Sequence, residues 1–181
     1  MSVATPVLVL PGHGNSGPQH WQTIWELRHP EWRRVDLGHW YSPVCNEWVH
    51  ALEVAVQACP APPLLVAHSL ACLLVAHWAR RSSLVLKGAF LVAVPDPQSQ
   101  SFPSLASGFA PVPMEPLAFR SLVVSSANDP FGSLAHARYC AAAWGSGFAD
   151  VGEAGHINAD SGHGAWEEGY ALLKQFAYRS C

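Results

Sequence analysis

Short, almost unbroken apolar runs alternate along this chain with segments in which apolar positions recur every three or four residues. The unbroken runs, Val7–Leu10, 64–67, 88–94 and Ser121–Ser125, read as strands buried on both faces, and 34–37 and 148–151 are shorter candidates. Between the strands, Trp21, Ile24, Trp25 and Arg28 share one face of a helix expected over 20–27, with His29-Pro30 as its stop. Val44, Trp48, Leu52 and Ala55 do the same over 43–59, where Pro60 ends the helix. Further helices are expected over 70–80, Leu134–Trp144 and 166–178, the first closing on Arg80 and Arg81, whose charge suits that end of the dipole.

Strand and helix in alternation predict one α/β domain over 1–181, with a mostly parallel central sheet and helices on both faces. Ligands of such sheets bind beyond the carboxyl ends of the strands. The loops after Leu10, Ala67, Val94 and Ser126 are therefore where chemistry is expected. The stretch 95–116 is rich in proline, serine and glycine, and a loop of that length is expected to be functional or mobile.

One apolar run is broken in a telling way. Residues 62–79 read PPLLVAHSLACLLVAHWA, interrupted at Ala67-His68-Ser69-Leu70-Ala71. A strand that ends in a small-x-Ser-x-small turn and passes straight into a helix displays a serine nucleophile, and the flanking residues must be small because the turn is tight and strained. Here both flanks are alanine. Pro62, Pro63, His68, Ser69 and His77 argue against a membrane span. Taken alone, the stretch reads equally as a buried strand and helix with an incidental serine.

Composition narrows the classes. With 50% hydrophobic and 13% charged residues the chain is globular and not disordered. A net charge of −3, with arginines paired only at Arg33-Arg34 and Arg80-Arg81, leaves no footprint for nucleic acid. The first residues lack a basic segment and a long apolar core, so a cytoplasmic location is expected. Five scattered cysteines, Cys45, Cys59, Cys72, Cys140 and Cys181, with no C-x-x-C pair, read as reduced thiols. Ten histidines raise the question of a metal, but there is no H-E-x-x-H, and neither His13 with His20 nor His156 with His163 has metal-site spacing; no metal is expected.

A serine hydroxyl needs a histidine to take its proton, and the histidine needs a carboxylate to fix its tautomer. Past the strand Ser121–Ser125 stands Asp129 in Ala127-Asn128-Asp129-Pro130, and past 148–151 stands His156 in Gly155-His156-Ile157-Asn158. Either residue alone could be a turn former or surface decoration. Together with Ser69 they fall at strand ends in the order serine, acid, histidine. Oxyanion donors are expected from the backbone N–H of Leu70 and from the N–H of His13 or Gly14 in Gly12-His13-Gly14-Asn15-Ser16-Gly17. That loop also spells G-x-G-x-x-G, and Asp36 lies near the position of a ribose-binding acid. A dinucleotide site would leave Ser69, Asp129 and His156 without a role, so no cofactor is expected.

Four segments carry a family resemblance: 10–18 with His20-Trp21-Gln22 and Trp25; 66–71; 126–130; and Gly155-His156-Ile157-Asn158-Ala159 running on to Trp166 and Gly169. In these the chain resembles the small single-domain α/β-hydrolases of the retinoblastoma-binding-protein and YdeN-like serine hydrolase family. The resemblance implies an α/β-hydrolase fold without a separate cap domain, no cofactor, and Ser69, Asp129 and His156 as the catalytic triad. Ala71 departs from the glycine usual in that family, and His163 from an uncharged residue. The L-x-C-x-E motif of retinoblastoma binding is absent, since Leu70-Ala71-Cys72-Leu73-Leu74 lacks the acid.

The expectation is a serine hydrolase cleaving a carboxyl ester or amide of a small molecule through an acyl-enzyme, losing activity in acid as the base takes a proton. Residues 95–116, Trp21 and Trp40 are expected to frame the substrate, although Trp21 and Trp25 suit a core better. The rival expectation is a binding protein on a hydrolase fold with the triad idle.

Overall fold

The computed structural model describes residues 4–178. Strands β1 (Val7–Leu10), β2 (Arg33–Arg34), β3 (Leu64–His68), β4 (Gly88–Val92), β5 (Ser121–Ser125) and β6 (Gly147–Asp150) form one sheet in the order β2-β1-β3-β4-β5-β6. Every neighbouring pair is parallel. Helices α1 (Trp21–Arg28), α2 (Cys45–Gln57), α3 (Leu70–Ala79), α4 (Leu134–Trp144) and α5 (Glu167–Tyr178) connect and flank the strands.

Alternate residues of the strands serve two cores. Leu8, Leu10, Leu65, Ala67, Ala89, Leu91 and Val123 pack with α2, α3 and α4, where Trp48, Leu52, Leu73 and Trp144 are buried. Val7, Leu64, Val66, Phe90, Val92 and Val124 face the other way, toward Trp21 and Trp25 of α1 and Leu173 of α5. Burial on both sides is why these strands are continuous apolar runs in the sequence.

The chain runs from β1 out to the edge strand β2 and then back across to β3, so the strand order reverses between β1 and β3. The loops leaving those two strands lie at the carboxyl ends beside this reversal, the usual ligand position in such sheets.

Several boundaries differ from expectation for local reasons. His20 caps α1 from outside, its Nδ1 accepting from the N–H of Gln22 at 3.2 Å. β2 is only two residues long because the chain turns at Asp36, whose Oδ1 accepts from the N–H of Gly38 at 3.0 Å. β4 stops at Val92, where Ala93 takes a left-handed φ of 59°.

Residues 95–116 form no strand or helix, and backbone and side-chain hydrogen bonds tie them to the rest of the domain at several points along their length. Asp96 N–H donates to Phe131 O at 2.8 Å, and Ser107 exchanges backbone bonds with Pro43 and Cys45 at 2.9 Å each. His77 Nε2 lies 3.0 Å from Phe109 O, and Trp144 Nε1 donates to Pro113 O at 2.7 Å. Cys45, Cys72 and Cys140 are buried, Cys59 is partly exposed, and all four are free thiols; Cys181 lies outside the described residues. Among the described residues no helix is long and apolar enough to cross a membrane, and no cluster of ligating side chains could hold a metal ion.

Candidate active site

The turn between β3 and α3 puts Ser69 at φ 56° and ψ −124°, a strained backbone for any residue with a side chain. Ala67 and Ala71 on either side are fully buried, which leaves no room for larger flanks. The loop after β1 lies directly against this turn. A Cβ on Gly12 would stand 2.9 Å from both Ser69 Cβ and His68 O, so only glycine allows that approach.

Ser69, Asp129 and His156 come together from three strand ends. His156 Nε2 lies 2.8 Å from Ser69 Oγ, and His156 Nδ1 lies 2.9 Å from each carboxylate oxygen of Asp129. The carboxylate accepts at Nδ1, so the proton sits there and Nε2 is left to accept from the serine hydroxyl. All three residues are at most 9% exposed, and Phe131 lies against the His156 ring at 4.3 Å between centroids. Asp129 Oδ1 also accepts from the N–H of Phe131 at 2.9 Å, which fixes the carboxylate before the histidine is considered.

Side chains outside the sequence-derived set hold these loops together. Ser126 Oγ accepts from the N–H of Ala154 at 2.9 Å, and Asn128 Oδ1 from the N–H of Gly155 at 2.7 Å, so the acid loop and the histidine loop are cross-linked on both sides. Trp21 Nε1 donates to Ile157 O at 2.8 Å, and Trp21 is fully buried against Trp25 and Trp166. This agrees with its better fit to a core: it fastens the histidine loop from within. Gln22 donates to Leu10 O and Val66 O at 3.0 and 3.1 Å, bridging the ends of β1 and β3. The sequence hint for Ser126, Asn128 and Gln22 is only that they fall within the segments that carry the family resemblance.

A row of imidazoles runs behind the site. His20 and His68 rings are 4.7 Å apart, and His68 and His156 rings 4.9 Å apart. Burial pushes His20 down to about 3 and His68 well below the ordinary histidine value, with Arg34 and His156 adding to burial at His20. Both are therefore neutral, and His68 donates from Nε2 to the carbonyl oxygen of His156 at 2.9 Å.

The donors expected for an oxyanion are placed unequally. Leu70 opens α3, so its N–H is one of the unpaired donors of a first helical turn. Gly14 N–H is already bonded to Trp40 O at 2.9 Å, whereas His13 N–H has no acceptor among the described residues. Arg34 holds the loop in place, donating to Asn15 Oδ1 at 3.0 Å, Ser16 O at 2.9 Å and Thr23 Oγ1 at 2.6 Å, and pairing with Glu26. Asp36, the candidate ribose acid, is spent on its own turn with Gly38.

The model of a family described as serine hydrolase matches residues 7–175. A YdeN-like hydrolase from Pectobacterium atrosepticum is 35% identical, with 96% of this chain and 90% of that one covered and a TM-score of 0.84. The ydeN gene product of B. subtilis is 19% identical over 97% of this chain and all of that one, with a TM-score of 0.77. A monoacylglycerol lipase from Paleococcus ferrophilus shares the fold at a TM-score of 0.73, 14% identity and 97% and 96% coverage. No curated protein matches the chain.

Proposed function

The chain belongs to the serine hydrolase family, and from that premise we propose that it cleaves a carboxyl ester or amide of a small molecule through an acyl-enzyme. The observation that carries this reading is the continuous array from Ser69 Oγ through His156 to both oxygens of Asp129.

In this reading Ser69 Oγ bonds to the substrate carbonyl carbon as its proton passes to His156 Nε2. Asp129 holds the imidazole and stabilises its cationic form. The N–H groups of Leu70 and His13 hold the oxyanion, since that of Gly14 is engaged by Trp40. Collapse of the intermediate breaks the bond to the alcohol or amine, which leaves with the proton from His156. Water then attacks the acyl carbon, giving its proton to His156, and the carboxylic acid departs as Ser69 recovers its hydrogen. No cofactor enters these steps. We place the enzyme in the cytoplasm, in keeping with the absence of a disulfide among the described residues.

A fluorophosphonate probe on wild type and Ser69→Ala tests the reading. Labelling that vanishes in the variant supports it, and a screen of p-nitrophenyl esters and aminoacyl amides then separates esterase from amidase. An unlabelled, folded wild type would leave the fold as a binding scaffold.

A further inference from the structure

The chain contains two lysines, Lys87 and Lys174, far apart in sequence, and both line the same cavity of about 330 Å³. The cavity reaches Val7 and Leu64, the first residues of β1 and β3, and so lies at the end of the sheet opposite Ser69. Trp32 and Tyr170 form its aromatic wall. That wall is fixed by His29, whose ring stacks on Trp32 at 4.5 Å and whose Nε2 lies 2.6 Å from the Tyr170 hydroxyl.

Several arginines of the molecule are already neutralised by carboxylates. Arg28, Arg34, Arg80 and Arg138 sit in ion pairs with Glu167, Glu26, Glu115 and Asp150. Among the described residues neither lysine has a carboxylate partner; the Lys174 ammonium lies over the Tyr170 ring at 4.8 Å. The carboxylate on the cavity wall, Glu31, is bonded to His29 Nδ1 at 3.0 Å. Glu167, whose carboxylate also feels Lys174, is paired with Arg28, so the two ammonium groups against Glu31 leave a single positive charge beside an apolar and aromatic interior.

We propose that this cavity binds a monocarboxylate with an apolar body, at a site separate from the hydrolytic one. The net charge matches one anionic head, and flexible lysines supply point charges at the rim where a guanidinium fork would fix a bidentate geometry. Leu64, Leu173 and Trp32 offer the body a dry surface, and the volume falls in the range of small-molecule sites. The site goes beyond the hydrolase reading and does not depend on it.

The scarcity of lysine makes the test direct. Reductive 13C-methylation keeps the charge and gives one side-chain signal from each lysine. On titration with octanoate both signals are expected to shift saturably with one common Kd, and octan-1-ol is expected to need at least tenfold higher concentration. Lys174→Gln is expected to weaken octanoate at least tenfold as read at the Lys87 signal, while Ser69→Ala leaves the Kd unchanged whether or not Ser69 is a nucleophile. Signals that stay still, shift without saturating or follow different midpoints overturn the proposal, as does an unchanged Kd in Lys174→Gln.

Discussion

The imidazole of His68, the residue before Ser69, is hydrogen-bonded to the backbone carbonyl of His156 at 2.9 Å, across 88 positions of sequence. The serine turn and the histidine loop are thus joined twice, once by the reacting side chains and once behind them. Under the proposed mechanism His68 would act through His156, as a positioning residue. His68→Leu leaves a buried carbonyl without its donor, costing about 1–3 kcal/mol of stability. Its kcat on an activated ester is expected to fall at least tenfold with little change in KM. His68→Gln, which can present a donor at similar reach, is expected to recover most of that loss; equal losses in both variants would reduce His68 to packing.

Gly12→Ala probes the contact between the first loop and the serine turn. The added Cβ would meet Ser69 Cβ and His68 O at 2.9 Å, and neither is the free end of a flexible chain. Fluorophosphonate labelling is expected to slow at least tenfold while the far-UV circular dichroism spectrum remains that of wild type. Labelling at the wild-type rate would show that the loop can retreat without cost to the site.

Arg34→Lys replaces a fork with a single ammonium group that cannot reach Asn15, Ser16, Thr23 and Glu26 together. Loosening of residues 13–16 is expected to lower kcat more than it raises KM, because the oxyanion donor proposed on that loop would act in the transition state. A change confined to KM would place the loop in substrate binding instead.

Acid should unfold the protein earlier than its carboxylates alone require. Burial holds His20 at about 3, and His68 and His77 below the ordinary histidine value. The unfolded chain takes up protons on these rings as pH falls below about 6.5, and the folded chain cannot, so stability is greatest above that pH. Between about pH 6.5 and 3 His20 alone removes up to about 1.4 kcal/mol per pH unit, and His68 and His77 act in the same direction. Urea unfolding at pH 7, 6 and 5 is expected to show this decline, and His20→Asn, which keeps a capping side chain, is expected to flatten it. Parallel slopes would mean that His20 does not contribute.

The strands were legible because residues such as Leu65 and Val66 are buried on opposite faces of a parallel sheet, which forces unbroken apolar runs. Ser69, Asp129 and His156 could be picked out because each follows such a run. What escaped the sequence depends on partners far along the chain. Nothing near Gly14 shows that Trp40 O will take its N–H, and nothing in 95–116 shows that Ser107, Phe109 and Pro113 will be tied to α2, α3 and α4. Trp21 suits a core from the sequence, but nothing there shows that Ile157 O will accept from its indole N–H.

The all-parallel sheet also sets when the site can exist. Each pairing between neighbouring strands closes a crossover, so native contacts here are long-range, a topology that folds slowly. Asp129 follows β5 and His156 follows the far edge strand β6, so the array at Ser69 is incomplete until that edge has docked. A reagent that captures the activated hydroxyl would therefore serve as a clock for refolding, its signal rising only with the last strand.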